Sequence, residues 1–125
     1  MTQSAIQPTT SEQSLGRARS LLQNGQLPAA VQLCEEILRS EPDHRDALYT
    51  LAVARRFQRD FGEALALVDQ LIVQDPSNGL AYQERGHCLR DKGDTGGALA
   101  AYQAAVEGCD NTREQHQGDN RLHQA

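Results

Sequence analysis

Residues 46–76 read DALYTLAVARRFQRDFGEALALVDQLIVQDP and contain two amphipathic stretches separated by a polar break at Arg59-Asp60. In each stretch the apolar residues recur at three- and four-residue spacing, which is typical of a helix with one buried face. Asp60 followed by Glu63 has the spacing of a capping box, so a second helix is expected to begin there. Pro76 then ends that helix, because proline lacks an amide donor. The stretch therefore predicts two consecutive helices that form a hairpin.

The same pattern recurs when the chain is compared with itself at an offset of 34 residues, which places Pro42 on Pro76. The offset divides the chain into three blocks: 11–44, 45–78 and 79–112. The eighth and twentieth places of the blocks hold only small residues, which let two helices approach closely: Ala18, Ala52, Gly86, Ala30, Ala64 and Ala98. After the prolines, Asp43 and Ser77 are predicted to cap the next helix. No segment alternates apolar and polar residues, so no strand is predicted.

These blocks resemble the tetratricopeptide repeat family, whose members are built from 34-residue helix-turn-helix units. The resemblance covers residues 11–112 and implies an all-α, right-handed superhelix of three helical hairpins. The chain departs from the family pattern at places where the family has large apolar residues or a third terminal proline: Arg17, Arg55, Arg85 and Asp110. The first and third units therefore match the family less well than the second.

The third block has a narrower resemblance as well. Residues 82–90 (YQERGHCLR), Gly93-Asp94 and residues 98–102 (ALAAY) are similar to the repeat region that precedes the catalytic domain in bacterial tetratricopeptide-sulfotransferase proteins. This similarity implies an accessory N-terminal domain of a larger enzyme, such as a sulfotransferase. The segment that would bind a sulfonate donor is absent, so no activity is carried over to this chain.

The composition of the chain disfavours several classes of function. Its 125 residues carry 12 Lys+Arg against 17 Asp+Glu, a formal net charge of −5, which argues against binding to nucleic acid. Aromatic residues make up 4% and tryptophan is absent, so the stacking surfaces of single-strand binders are missing. No apolar run approaches the roughly 20 residues that span a bilayer, and the first residues do not resemble a secretory signal. No contact with a membrane is expected.

The reactive side chains form no recognisable catalytic or metal-binding pattern. Cys34, Cys88 and Cys109 are an odd set without a CxxC pair, which fits a reducing compartment and predicts a cytoplasmic protein. His87-Cys88 has the residue types of a catalytic dyad, but consecutive helical residues do not face each other. The glycine-rich residues 93–97 lack the phosphate-loop pattern and are interpreted as a turn. No enzyme activity, cofactor or metal site is predicted.

The expected function is to bind a protein or peptide on the concave surface of the array. In the family, the first helix of each unit lines this surface through its second, fifth, ninth, twelfth and thirteenth places. These places include Phe57 and Leu80, and the residues predicted to bind the partner are Arg19, Tyr49, Val53, Arg56, Gln83, His87 and Arg90. Members that grip acidic chaperone tails carry Lys and Asn in the fifth and ninth places of the first unit. This chain has Leu15 and Arg19 there, so that clamp is not predicted.

The two ends of the chain are predicted to lie outside the repeats. Residues 1–10 and the polar residues 113–125 are expected to be disordered. Because the C-terminal segment has one large aliphatic residue, Leu122, it lacks the apolar stripe of a helix that could cover the last hairpin. A self-assembly unit is therefore a further alternative, with self-association through residues expected to be exposed on the last hairpin: Leu99, Tyr102 and Val106.

Overall fold

The computed structural model describes residues 10–117, with side chains for residues 10–107. This part of the chain contains six helices and no strand, which confirms the predicted all-α array: α1 (Ser11–Gln23), α2 (Leu27–Ser40), α3 (Arg45–Phe57), α4 (Phe61–Gln74), α5 (Gly79–Lys92) and α6 (Thr95–Gln117). Consecutive helices pack as three hairpins, and each hairpin also contacts the next through α2 with α3 and through α4 with α5. Most of the N-terminal segment predicted to be disordered, residues 1–9, lies outside the described residues.

The first helices begin 34 residues apart, at Ser11, Arg45 and Gly79. Each is capped by the side chain of the preceding residue, which accepts a hydrogen bond from the amide three residues later: Thr10, His44 and Asn78. The predicted caps Asp43 and Ser77 are wrong by one residue. Ser77 instead donates from its amide and hydroxyl to Asp75, which closes the turn before the helix. Asp60 caps α4 as predicted, accepting from the Glu63 amide at 3.3 Å.

The turn inside each hairpin uses one residue in the left-handed region. Its φ angle is +79° at Gly25, +65° at Arg59 and +103° at Gly93, and these residues are again 34 positions apart. The turn at Arg59 closes with hydrogen bonds that return to the last turn of α3, including one from the Asp60 amide to the Arg55 carbonyl at 2.8 Å. This pattern ends the helix and satisfies its free carbonyls. The three hairpins therefore have the same type of backbone turn.

The eighth and twenty-fourth places of the unit lie on the first and second helix of each hairpin, and their residues are buried or half-buried. The pairs are Ala18 with Cys34, Ala52 with Val68, and Gly86 with Tyr102. The first two pairs lie in the main hydrophobic core. A Cβ atom at Gly86 would lie 2.5 Å from Cε1 of Tyr102, so the larger ring is accommodated because this glycine has no side chain.

The last helix is longer than the repeat predicts. α6 has 23 residues, whereas the second helices of the other hairpins, α2 and α4, have 14 each. It continues to Gln117, past the boundary predicted at Thr112, because no glycine or proline interrupts residues 109–117. The tail predicted to be disordered from residue 113 therefore overlaps the helix as far as Gln117, and residues 118–125 lie outside the described residues.

Two glycines of similar exposure are expected to respond oppositely to alanine. Gly93→Ala should lower the free energy of unfolding by about 1–2 kcal/mol, because an L side chain is strained at φ +103°. Gly16→Ala, in the middle of α1 with open space around the added Cβ, should raise it by about 0.5–1 kcal/mol. Urea denaturation followed by circular dichroism measures both changes, and a loss of stability in Gly16→Ala would contradict the boundaries assigned to α1.

The pair Gly86 and Tyr102 is testable by a double-mutant cycle. Gly86→Ala should destabilise the protein by about 1–3 kcal/mol because the new methyl group overlaps the Tyr102 ring. Adding Tyr102→Val creates the residue pair already present in the second hairpin, Ala52 with Val68, and should recover part of that loss. Strictly additive effects of the two substitutions would show that the two side chains do not meet.

Candidate peptide-binding groove

The first helices of the three hairpins form one side of the array. α3 contacts both α1 and α5, whereas α2, α4 and α6 make no contact with one another within residues 10–117. The first helices therefore lie closer together than the second helices, and the array curves with α1, α3 and α5 on its inner side. We call the surface of these three helices the inner face.

All seven residues predicted to bind a partner lie on the helices of the inner face, but they differ in exposure. Three of them are exposed: Arg19, Gln83 and Arg90. Three others are half-buried: Tyr49, Val53 and His87. The seventh, Arg56, has a side chain that is only 11% exposed. Among the described residues, no ion pair joins Arg19 to the other predicted residues. Arg56, His87 and Arg90, by contrast, belong to one cluster of charged and polar side chains.

The centre of this cluster is an ion pair between α3 and α5. The Arg56 guanidinium donates from Nε to Oε2 of Glu84 at 2.5 Å and from Nη2 to Oε1 at 3.4 Å. Its Nη1 donates to Oδ2 of Asp91 at 3.1 Å. The side chain of Glu84 is 1% exposed, so its charge is compensated within the protein by Arg56. The pair therefore joins the second hairpin to the third.

Burial and pairing act in opposite directions on the pKa values of this cluster. Burial raises the pKa of Glu84, and the hydrogen bonds from Arg56 oppose this shift. Burial disfavours the charged form of Arg56, but its bonds to Glu84 and Asp91 outweigh that effect and raise its pKa. Although the burial of Asp91 acts against its ionisation, hydrogen bonds from Arg56 and Arg90 lower its pKa. Arg56 and Asp91 are thus held in their charged forms.

A second group of polar contacts links α5 to α6 through Tyr102. Its hydroxyl lies 2.7 Å from Nδ1 of His87 and accepts from Nη1 of Arg90 at 3.3 Å. Burial, followed by the charges of Arg56 and Arg90, lowers the pKa of His87. A neutral imidazole that is unprotonated at Nδ1 can accept a hydrogen bond from the Tyr102 hydroxyl. His87 and Arg90 are therefore held in place on the inner face by a residue of the second helix.

Three residues of this site were not among the predicted binding residues. Glu84 holds the sixth place of its unit, where the other units have Gly16 and Thr50, and an acidic residue at that place was a signal available in the sequence. Asp91 holds the thirteenth place, which in the family lines the concave surface, so it too had a signal in the sequence. Tyr102 had none, because its role depends on contacts made across helices. At the equivalent junction between the first two hairpins, the place of Arg56 is taken by Leu22, which packs against the hydrophobic core.

The thiols near the inner face are not suited to nucleophilic chemistry. Burial, followed by the charge of Glu84, raises the pKa of Cys88 to about 12, and its Sγ lies 4.0 Å from Oε2 of Glu84. Burial also raises the pKa of Cys34 to about 11. His87 is bonded to Tyr102 and not to Cys88. The two described cysteines are thus buried, protonated thiols.

Two kinds of feature, a metal site and a membrane span, are absent from the part of the chain that the structure describes. No three His, Cys, Asp or Glu side chains there are grouped closely enough to hold a metal ion. None of the helices described combines the length and the apolar character that crossing a bilayer requires.

Curated proteins similar to this chain are much longer than it is. The FK506-binding protein-like protein of Mus musculus is 37% identical over 78 residues, which covers 62% of this chain and 22% of the mouse protein. The protein of the same name in Rattus norvegicus is 36% identical over 73 residues, covering 58% and 20%. The chain thus spans about a fifth of the length of the curated relatives it matches.

Solved structures share the fold at low sequence identity. MamA superposes with a TM-score of 0.75 and 18% identity, covering 88% of this chain and 64% of that chain. The second TPR of Spaghetti (RPAP3), bound to the HSP90 peptide SRMEEVD, superposes with a TM-score of 0.69 and 17% identity, covering 77% and 89%. The narrower similarity to sulfotransferase-associated repeats stays a prediction.

A family model described as tetratricopeptide repeat matches residues 21–86, just over half of the chain. The match extends from the end of α1 to the middle of α5, and it agrees with the shared turns, the 34-residue spacing of the helices and the solved structures of the same fold. The chain therefore belongs to the tetratricopeptide repeat family.

Proposed function

We propose that this protein binds a segment of a partner protein along the inner face and has no catalytic role of its own. The observation that carries the proposal is the exposure of large apolar side chains there: Phe57 is 48% exposed and Leu80 is 56% exposed. The half-buried Tyr49 and Val53 lie on α3 with Phe57. Burying such surface on a partner is favourable, so apolar groups open to solvent support a role in binding.

The charges of the inner face indicate which kind of segment it accepts. Arg56 and Arg90 are matched by Glu84 and Asp91, with which they form ion pairs. The centre of the face therefore has little net charge to attract a strongly acidic segment. Exposed Gln83 can bond to a peptide backbone, so a segment with apolar side chains and few charges is the favoured partner.

The similar RPAP3 domain, which was solved with an HSP90 peptide, supports the use of this fold for peptide binding. We further place the function in the cytoplasm, which is consistent with the free, buried thiols of Cys34 and Cys88. Service as an accessory domain of a larger protein is the second candidate, because the chain matches only about a fifth of its curated relatives. Peptide binding by the inner face is compatible with both arrangements.

A peptide selected from a random display library on the immobilised protein tests the proposal. Leu80→Ser should weaken binding of the selected peptide about tenfold, because Leu80 contributes exposed apolar surface to the inner face. Val73→Ser is the matched control: Val73 is 81% exposed on α4, away from the inner face, and affinity should not change. Isothermal titration calorimetry measures both affinities.

Equal affinities of the two variants would place the binding site elsewhere. The peptide SRMEEVD should bind weakly in the same experiment, because Arg56 is already neutralised by Glu84 and Asp91. Tight binding of this acidic peptide would contradict the proposed preference for segments with few charges.

Arg56 is expected to act in folding rather than as a direct contact with the partner. Arg56→Leu should lower the free energy of unfolding by roughly 3–5 kcal/mol, because it leaves the buried Glu84 carboxylate without its partner. Adding Glu84→Thr should recover most of that loss. The junction between the second and third hairpins then has a leucine and a threonine in the places that Leu22 and Thr50 hold at the junction between the first and second. Urea denaturation measures both, and a fully stable Arg56→Leu variant would show that the ion pair contributes little.

A further inference from the structure

The outer side of α6 has an apolar surface whose equivalents in the other hairpins are covered. The twenty-first and twenty-eighth places of the unit hold Val31 and Leu38 in α2, and Leu65 and Ile72 in α4; all four are buried or half-buried. In α6 the same places hold Leu99 and Val106, which are 64% and 61% exposed. Leu99 and Val106 are exposed as predicted, and Tyr102, predicted to be partly exposed with them, is half-buried. In the first two hairpins, the second helix is covered by the first helix of the next hairpin.

The opposite end of the array is polar. In α3, the third, fourth and seventh places hold Ala47, Leu48 and Leu51, which are buried at the junction with the first hairpin. The same places of α1 hold Gln13, Ser14 and Arg17. Polar outer residues of this kind cover the end of a repeat array. A hairpin placed against α1 would therefore meet these polar side chains, and the two ends of the described array differ in character.

We propose that two copies of this chain associate through α6, around a two-fold axis that sets the helices antiparallel. Because α6 is the more apolar end of the described array, it can bury Leu99 and Val106 against the same surface of a second copy. Head-to-tail stacking would instead place these side chains against the polar end formed by Gln13, Ser14 and Arg17. Pairing of like ends closes after two copies, whereas head-to-tail contacts continue into filaments.

The sequence of α6 suits contact with its own copy. Glu107 is the single charged residue among residues 95–107, so a two-fold axis brings few like charges together. Leu99 and Val106 are seven residues apart and lie on the same side of the helix. In an antiparallel pair, Leu99 of one copy meets Val106 of the other at both ends of the contact, and exposed Gln103 lies near the axis. The small apolar area predicts a weak dimer.

Sedimentation velocity from about 10 µM to about 1 mM tests the proposal by showing whether mass depends on concentration. The native protein should rise from 13.7 kDa towards twice that mass and no further. Leu99→Gln combined with Val106→Gln should raise the dissociation constant at least about tenfold, because both exposed side chains lose their apolar contact. Val73→Gln is the matched control, because Val73 is an even more exposed apolar residue (81%) that lies on α4; this variant should dimerise like the native protein.

Cross-linking distinguishes the two-fold pair from other arrangements. Gln103→Cys, with Cys109→Ser to remove the nearby native thiol, should form a disulfide-linked dimer under mild oxidation, because residues near the axis face their own copy. A monomer over the whole concentration range overturns the proposal and leaves α6 to a helix of a different protein. Growth beyond the dimer, or a dimer unaffected by the α6 substitutions, overturns it in favour of another interface.

Discussion

The close approach of the two helices in each hairpin is the constraint on which the rest of the structure depends. A small residue in the eighth place lets the second helix pack against the first, and the side chain in the twenty-fourth place fills the remaining space. Where that side chain is Tyr102, the eighth place is Gly86, because even one methyl group would overlap the ring. The same contact brings the Tyr102 hydroxyl to His87 and Arg90. Core packing thus also orients two residues of the inner face.

The junctions between hairpins have the same geometry but differ in chemistry. Leu22 joins the apolar core between the first and second hairpins, whereas Arg56 pairs with Glu84 and Asp91 between the second and third. Charged groups at a buried junction stabilise only as a matched set, since removing one leaves the other unpaired. The two carboxylates also neutralise the charge of Arg56 within the protein. Exposed apolar side chains such as Leu80 are therefore the groups that the proposed partner would contact.

Much of the fold was predictable because it depends on local patterns. The 34-residue period, the small residues and the prolines predicted three hairpins, and the structure agrees with the predicted starts of their first helices. The caps were misplaced by one residue, because Asp43 and Ser77 have the right chemistry but His44 and Asn78 have the right position. The extent of α6 was underestimated, because a repeat length does not limit a helix whose residues 109–117 contain no breaker.

The sequence by itself determined the helical hairpins and their order, because helix periodicity and turn residues act over a few neighbouring positions. The resemblance to the tetratricopeptide repeat family implied which helices carry the inner face. Only the tertiary structure decided how the charged residues are used. Arg56 and Arg90 look alike in the sequence, each in the twelfth place of its unit, yet the side chain of Arg56 is 11% exposed and that of Arg90 is 54% exposed. The difference arises because Glu84, 28 residues further along the chain, reaches Arg56 only after α5 packs against α3.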